Sequence, residues 1–181
     1  MKACCRTLQR ATKLGLEETA WRLSKEGRHR EACEVFEKRL ALSPDNPMIW
    51  NDLGNEYAAA CQFEEALAAL KRGYAIDPKY PLPLYNLGVH TLAHCKELEK
   101  AGLVDKAKFQ DMVSEAIGYF STFLEKDPDH ADCHQSIATA YRMVHDKHRA
   151  GAHTLEALRL NPDLQIPAKG LLKKAAGLLS R

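Results

Sequence analysis

Histidine and cysteine are the side chains in this sequence whose types and spacing could do chemistry. His90 and His94 stand four residues apart, as do His130 and His134, with Cys95 and Cys133 beside them. Two imidazoles at that spacing share one face of a helix and can hold a divalent ion together. A closed site needs four ligands from converging segments, and neither pair has a third carboxylate or thiol at a recognised spacing. Ordinary surface or groove histidines are therefore expected, with no metal and no cofactor, and His145, His148 and His153 are expected to be exposed around a turn. The six cysteines, Cys4, Cys5, Cys33, Cys61, Cys95 and Cys133, form no CxxC, which suits free thiols in a reducing compartment. No GxSxG, HExxH, GxxxxGK[ST] or GxGxxG occurs, so no catalytic residue is assigned and the chain is expected not to be an enzyme.

Charge narrows the partners. A formal net charge of +2, from 26 basic and 24 acidic residues, leaves no electrostatic footprint for a nucleic acid or an anionic membrane. The apolar run after the first charges is only Ala3 to Cys5, and no stretch approaches the roughly 18 apolar residues of a membrane span. A cytoplasmic protein is expected.

Elements to position such side chains are legible in the stretch WNDLGNEY, residues 50–57. Trp50, Leu53, Gly54 and Tyr57 fall at offsets of three, four and seven, one face of one helix. A glycine inside that stripe costs about 1 kcal/mol relative to alanine, so something must approach it closely. The frame then recurs. Segment 47–80 carries Trp50, Leu53, Gly54, Tyr57, Ala66, Leu70, Gly73 and Pro78, and this resembles the tetratricopeptide repeat, whose signature agrees at these eight positions in order and spacing.

Segment 13–46 keeps the second half of the signature in Gly27, Ala32, Phe36 and Pro44, with Leu16, Thr19, Ala20 and Leu23 in its degenerate first half. Segment 131–164 has Ile137, Ala138, Tyr141, Ala150, Ala157 and Pro162. Between them, 81–130 opens on Leu84, Leu87 and Gly88 and closes on Ala116, Phe120, Phe123 and Pro128. At 50 residues it exceeds the 34-residue frame by 16, which predicts two helices each about two turns longer around the turn AGLVDKA. The resemblance implies an all-α fold, a right-handed superhelical solenoid of helix-turn-helix repeats. Residues 1–12 form an extension, and the amphipathic stretch 165–181, with Leu171, Leu172, Ala175, Leu178 and Leu179 on one face, is expected as a C-terminal capping helix. Gly54 and Ala66 would let paired helices touch backbone to backbone, and a larger residue there would overpack.

By the same resemblance the first helix of each repeat lines a groove that binds peptide segments. The groove places fall on Glu17, Glu18 and Trp21; on Asn51, Asp52 and Asn55; on Tyr85, Asn86 and Val89; and on Gln135, Ser136, Thr139 and Arg142. Of these, Trp21, Asn51, Asn55, Tyr85, Asn86, Val89, Gln135 and Arg142 are the candidate peptide-binding residues. Asparagine both donates and accepts, so Asn55 and Asn86 could pair with a main-chain amide, while Trp21 and Tyr85 offer apolar platforms. Co-chaperones of the family clamp a C-terminal carboxylate with lysines, an arginine and asparagines. Asn55 and Asn86 fit that clamp, but Asn51, Asp132 and Ser136 stand where its cations belong, so no such clamp is expected. The resemblance thus implies a protein-interaction module, an adaptor or chaperone-like assembly factor with a protein or peptide partner. A self-assembling scaffold that forms homo-oligomers is one alternative, and a metal- or cofactor-loading accessory protein another. The enlarged segment is expected to be a solvated spacer or a second contact surface.

Overall fold

The computed structural model describes the backbone of residues 2–164 and the side chains of residues 14–164. Among the described residues there are eight α-helices and no strand: α1 (Lys2–Lys25), α2 (His29–Leu42), α3 (Pro47–Ala59), α4 (Phe63–Ile76), α5 (Leu82–Lys100), α6 (Lys106–Leu124), α7 (Ala131–Met143) and α8 (Lys147–Leu160). This is an all-α helical repeat. The C-terminal capping helix expected at 165–181 lies outside the described residues. Residues 2–12 continue α1 without a break, so the N-terminal extension is the first part of that helix.

Local chemistry sets each boundary. Asn46 caps α3 by accepting from the N–H groups of Met48 (3.0 Å) and Ile49 (3.4 Å), with Pro47 supplying a ready-made first helical residue. Asp105, His130 and Asp146 cap α6, α7 and α8 in the same manner. Pro44, Pro78, Pro128 and Pro162 stand just beyond the ends of α2, α4, α6 and α8, where a helix cannot be continued.

The first helix of every pair ends identically. Gly27, Cys61, Gly102 and His145 follow α1, α3, α5 and α7 with φ of 74°, 62°, 68° and 61°. The next N–H reaches back five residues in each case: Arg28 to Leu23, Gln62 to Tyr57, Leu103 to Leu98 and Asp146 to Tyr141, at 2.8 to 2.9 Å. That closure satisfies carbonyls the helix leaves orphaned, and it requires a left-handed residue. Two of the four are not glycine.

Gly54 shows why the stripe needs its gap. A Cβ placed there would lie 2.6 Å from Leu70 Cγ and 3.2 Å from the Ala66 carbonyl oxygen, so α3 and α4 meet at that point with only hydrogen between them. Gly73 repeats the device toward α3, where a Cβ would sit 3.1 Å from both the Pro47 oxygen and Trp50 Cβ.

The third pair is longer, by less than its sequence length suggests. Helices α5 and α6 have 19 residues each, against 13 in α3 and 14 in α4. The excess is about one and a half turns per helix, because part of the insertion forms the turn 101–105 and the connection after α6.

Two compact units divide the chain within α5, one through His94 and the other from Cys95. In the first, Phe36, Leu40, Ile49 and Leu53 are buried with Ala20, Leu23, Cys33 and Ala69, and Leu16, Trp50 and Tyr57 pack against them. In the second, Val113, Ala116, Phe120 and Phe123 of α6 bury with Cys133, Ile137 and Ala138 of α7 and with Ala150 and Ala157 of α8.

Candidate functional site

Three first helices of the N-terminal unit stand side by side because hydrogen bonds join them at one-repeat intervals. Ser24 Oγ on α1 donates to Glu56 Oε1 on α3 at 2.6 Å, and His29 Nδ1 meets Glu56 Oε2 at 2.8 Å. From α5, Asn86 Nδ2 donates to Asn51 Oδ1 at 2.8 Å and His90 Nε2 donates to Asn55 Oδ1 at 2.9 Å. An amide oxygen can only accept, so the second bond fixes His90 as the Nε2–H tautomer. Burial pushes that imidazole down to about 4, which keeps it neutral.

These bonds revise the candidate residues. Asn51 is only 3% exposed and its oxygen is taken by Asn86, so it forms part of the wall beneath the face instead of lining it. The Asn86 amide is correspondingly committed, and the pair holds α3 to α5. Asn55, Tyr85 and Val89 are half-buried on the same face, and Trp21 is exposed at 44%, edge-on to Phe36 with ring centroids 6.2 Å apart. Sequence reasoning missed the Asn51–Asn86 bond because its partners lie 35 residues apart, and only the register of neighbouring repeats brings them together.

A charged group underlies the face. Arg39 of α2 lies with its guanidinium 5.4 Å above the Phe36 ring and its Nη2 3.3 Å from Glu17 Oε2, while its buried Nη1 has no hydrogen-bond partner among the described residues. Burial pushes the Asp52 carboxyl up to about 6, against the hydrogen bond to Asn51 and the Arg39 charge, which both favour the carboxylate.

In the C-terminal unit, Gln135 and Arg142 are half-buried on α7, and Arg142 donates to Thr139 Oγ1 at 2.8 Å and Thr154 Oγ1 at 3.4 Å, within its own helix pair. Histidines of each i,i+4 pair turn to different partners. His94 stacks on Phe63 at 5.2 Å and approaches Glu64, away from His90. His130 Nδ1 caps α7, whereas His134 donates through Nε2 to the Pro128 oxygen (3.3 Å) and accepts through Nδ1 from His153 Nδ1 (3.1 Å). His153 is thus half-buried against His134 and Tyr141, not exposed. Among the described residues no group of three His, Cys, Asp or Glu side chains converges on a metal position, and no helix is long and apolar enough to cross a membrane.

Comparison with known proteins agrees with this architecture. The model of the tetratricopeptide-repeat family matches residues 23–85. The peroxisomal targeting signal receptor of Saccharomyces cerevisiae is 31% identical over 62 residues, 34% of this chain and 10% of the receptor. Its counterpart in Eremothecium gossypii is 32% identical over 62 residues, 34% of this chain and 11% of that protein. The match therefore spans about a tenth of these curated relatives. Among solved structures, the fold is similar to TTC0263, a thermophilic TPR protein of Thermus thermophilus (TM-score 0.71, 20% identity, 83% of this chain and 75% of that one). Crystalline MamA is similar as well (TM-score 0.65, 20% identity, 91% and 81%). So is the first TPR of Spaghetti bound to the HSP90 peptide SRMEEVD (TM-score 0.60, 19% identity, 74% and 94%). With its signature residues and its paired helices in accord, residues 23–85 match the tetratricopeptide-repeat family, and the described helices share the fold of the solved repeat proteins.

Proposed function

We propose that the protein is a non-enzymatic adaptor or assembly factor of the cytoplasm that holds a peptide segment on the face made by α1, α3 and α5. Members of this family generally act as protein-interaction modules, and one structural neighbour was solved with a peptide bound. The observation that carries the reading is the face itself. Hydrogen bonds between the helices fix its floor, and above it stand Trp21, Asn55, Tyr85 and Val89, an aromatic and amide surface suited to an extended or helical peptide. On α7 of the C-terminal unit, Gln135 and Arg142 are proposed peptide contacts in their own right, and the segments 13–46, 47–80, 81–130 and 131–164 are the four repeats of this reading.

Asn51 and Asn86 are left out of the test because they hold helices together. Peptides selected from a random display library on the wild-type protein should lose at least about tenfold in affinity for a Trp21→Ala, Tyr85→Ala variant with unchanged helical circular dichroism. Peptides that bind the variant as tightly as the wild type would place recognition elsewhere.

A further inference from the structure

On three successive first helices the same place is apolar and uncovered. Leu14, Met48 and Leu82 stand 34 residues apart and are 58%, 55% and 36% exposed. One turn along each helix the next rows carry Glu17 and Glu18 on α1, Asn51 and Asp52 on α3, and Tyr85 and Asn86 on α5. Helix α3 has two carboxylates and no lysine or arginine, and α5 has no lysine or arginine as far as His94. Arg39 answers Glu17, while Glu18 has no ion-pair partner among the described residues. The apolar row therefore stands beside Glu17, Glu18 and Asp52, with the basic Arg22 and Lys25 further along α1 and Arg22 paired with Glu26, and this part of the face is complementary to an apolar stripe flanked by basic residues.

Spacing narrows the occupant. Neighbouring packed helices lie roughly 8–10 Å apart, and a like spacing is expected of the row because side-chain hydrogen bonds join α1 to α3 and α3 to α5. Alternate residues of a strand that share a face recur about every 7 Å, whereas seven residues of helix rise about 10.5 Å. A helix with apolar residues seven apart matches the row.

The chain carries such a sequence. Segment 165–181 has Leu171 and Leu178, and Leu172 and Leu179, each pair separated by seven, together with Lys169, Lys173, Lys174 and Arg181 and no acidic residue. It follows the turn 161–164 after α8 of the C-terminal unit, whereas the row belongs to the N-terminal unit. A second copy can present it to the row. We propose that residues 165–181 of one copy dock as a helix on the Leu14–Met48–Leu82 row of another. The proposal rests on the peptide-binding reading of this face and names its partner. Such a contact is head-to-tail, so it builds open chains or rings instead of closing at a dimer.

Sedimentation of the full-length protein tests it by complementation. The wild type should associate with rising concentration beyond a dimer, and less so at high salt, which screens the basic segment from the acidic row. Met48→Glu, at an exposed position, and Leu178→Glu should each weaken association at least about tenfold while helical circular dichroism is unchanged. Mixed, the two variants should form a one-to-one heterodimer, because the first keeps an intact segment and the second an intact face. A wild type that stays monomeric, variants that associate like the wild type, or a mixture that fails to pair each overturns the proposal. Library peptides that still bind a monomeric wild type through Trp21 and Tyr85 would leave the peptide-binding reading standing, so the two failures are distinguishable.

Discussion

Replacing Gly54 by alanine sets two effects of similar size against each other. Alanine is worth about 1 kcal/mol over glycine in a helix interior, which favours the variant. Its methyl would sit 2.6 Å from Leu70 Cγ and 2.9 Å from Leu70 Cδ2, and Leu70 is fully buried, so it cannot swing aside. Overpacking of that kind costs about 1–3 kcal/mol. Gly54→Ala alone should therefore be destabilising by up to about 2 kcal/mol. Leu70→Ala alone should cost about 2–5 kcal/mol through the lost side chain and its cavity. In the double variant the clash is gone and the propensity gain remains. The coupling energy of the cycle removes the propensity term, common to both backgrounds, and isolates the overpacking as about 1–3 kcal/mol. Urea unfolding followed by tryptophan fluorescence measures it cleanly, because both tryptophans, Trp21 and Trp50, lie in the unit that contains Gly54 and Leu70. Additivity within about 0.5 kcal/mol, or a Gly54→Ala protein about 1 kcal/mol more stable than wild type, would refute the close-approach argument.

Cys61→Gly should stabilise the N-terminal unit by about 1 kcal/mol, since it relieves a left-handed residue without touching the closure hydrogen bonds; a lower urea midpoint would count against that closure. Glu56→Ala should cost about 2–3 kcal/mol, because it strips Ser24 and His29 of the buried carboxylate that ties α1 to α3, and a loss under 0.5 kcal/mol would show the tie to be idle. Asp52 and His90 pull the acid response in opposite directions. Asp52 has its folded value raised from 3.8 to about 6, so the native state takes up its proton first and stability gains as pH falls through that window. His90 has its folded value lowered from 6.5 to about 4, so the unfolded chain takes up its proton first and stability is lost as pH falls from 6.5 toward 4. Relative to wild type, Asp52→Asn should lose more stability between pH 7 and 4.5 and His90→Gln less, and urea midpoints in the reverse order would overturn the assignment.

Helix pairs are legible in the sequence because the 34-residue frame repeats apolar positions and prolines that each act locally. Gly54 is legible for the same reason: a glycine inside an apolar stripe points to a close neighbour, and Leu70 is that neighbour. What the sequence hides are contacts whose two halves are ordinary alone. Asn51 and Asn86 both look like ligand-binding amides until the register of α3 against α5 turns them toward each other. Residue type likewise conceals the left-handed Cys61 and His145, which stand where Gly27 and Gly102 mark the same turn openly. Spacing alone suggested shared metal ligands at His130 and His134, but a helix cap and a second imidazole claim them separately.

The bonds that join the first helices also bear on how the chain reaches this structure. Ser24 to Glu56, Asn51 to Asn86 and Asn55 to His90 span 32, 35 and 35 residues. The steps from α1 to α3 and from α3 to α5 thus close loops of nearly constant length, and the entropy of closure does not grow from the first to the second. Growth by such equal steps lets structure that forms in one pair spread to the next, and no contact in this ladder waits for distant parts of the chain to meet.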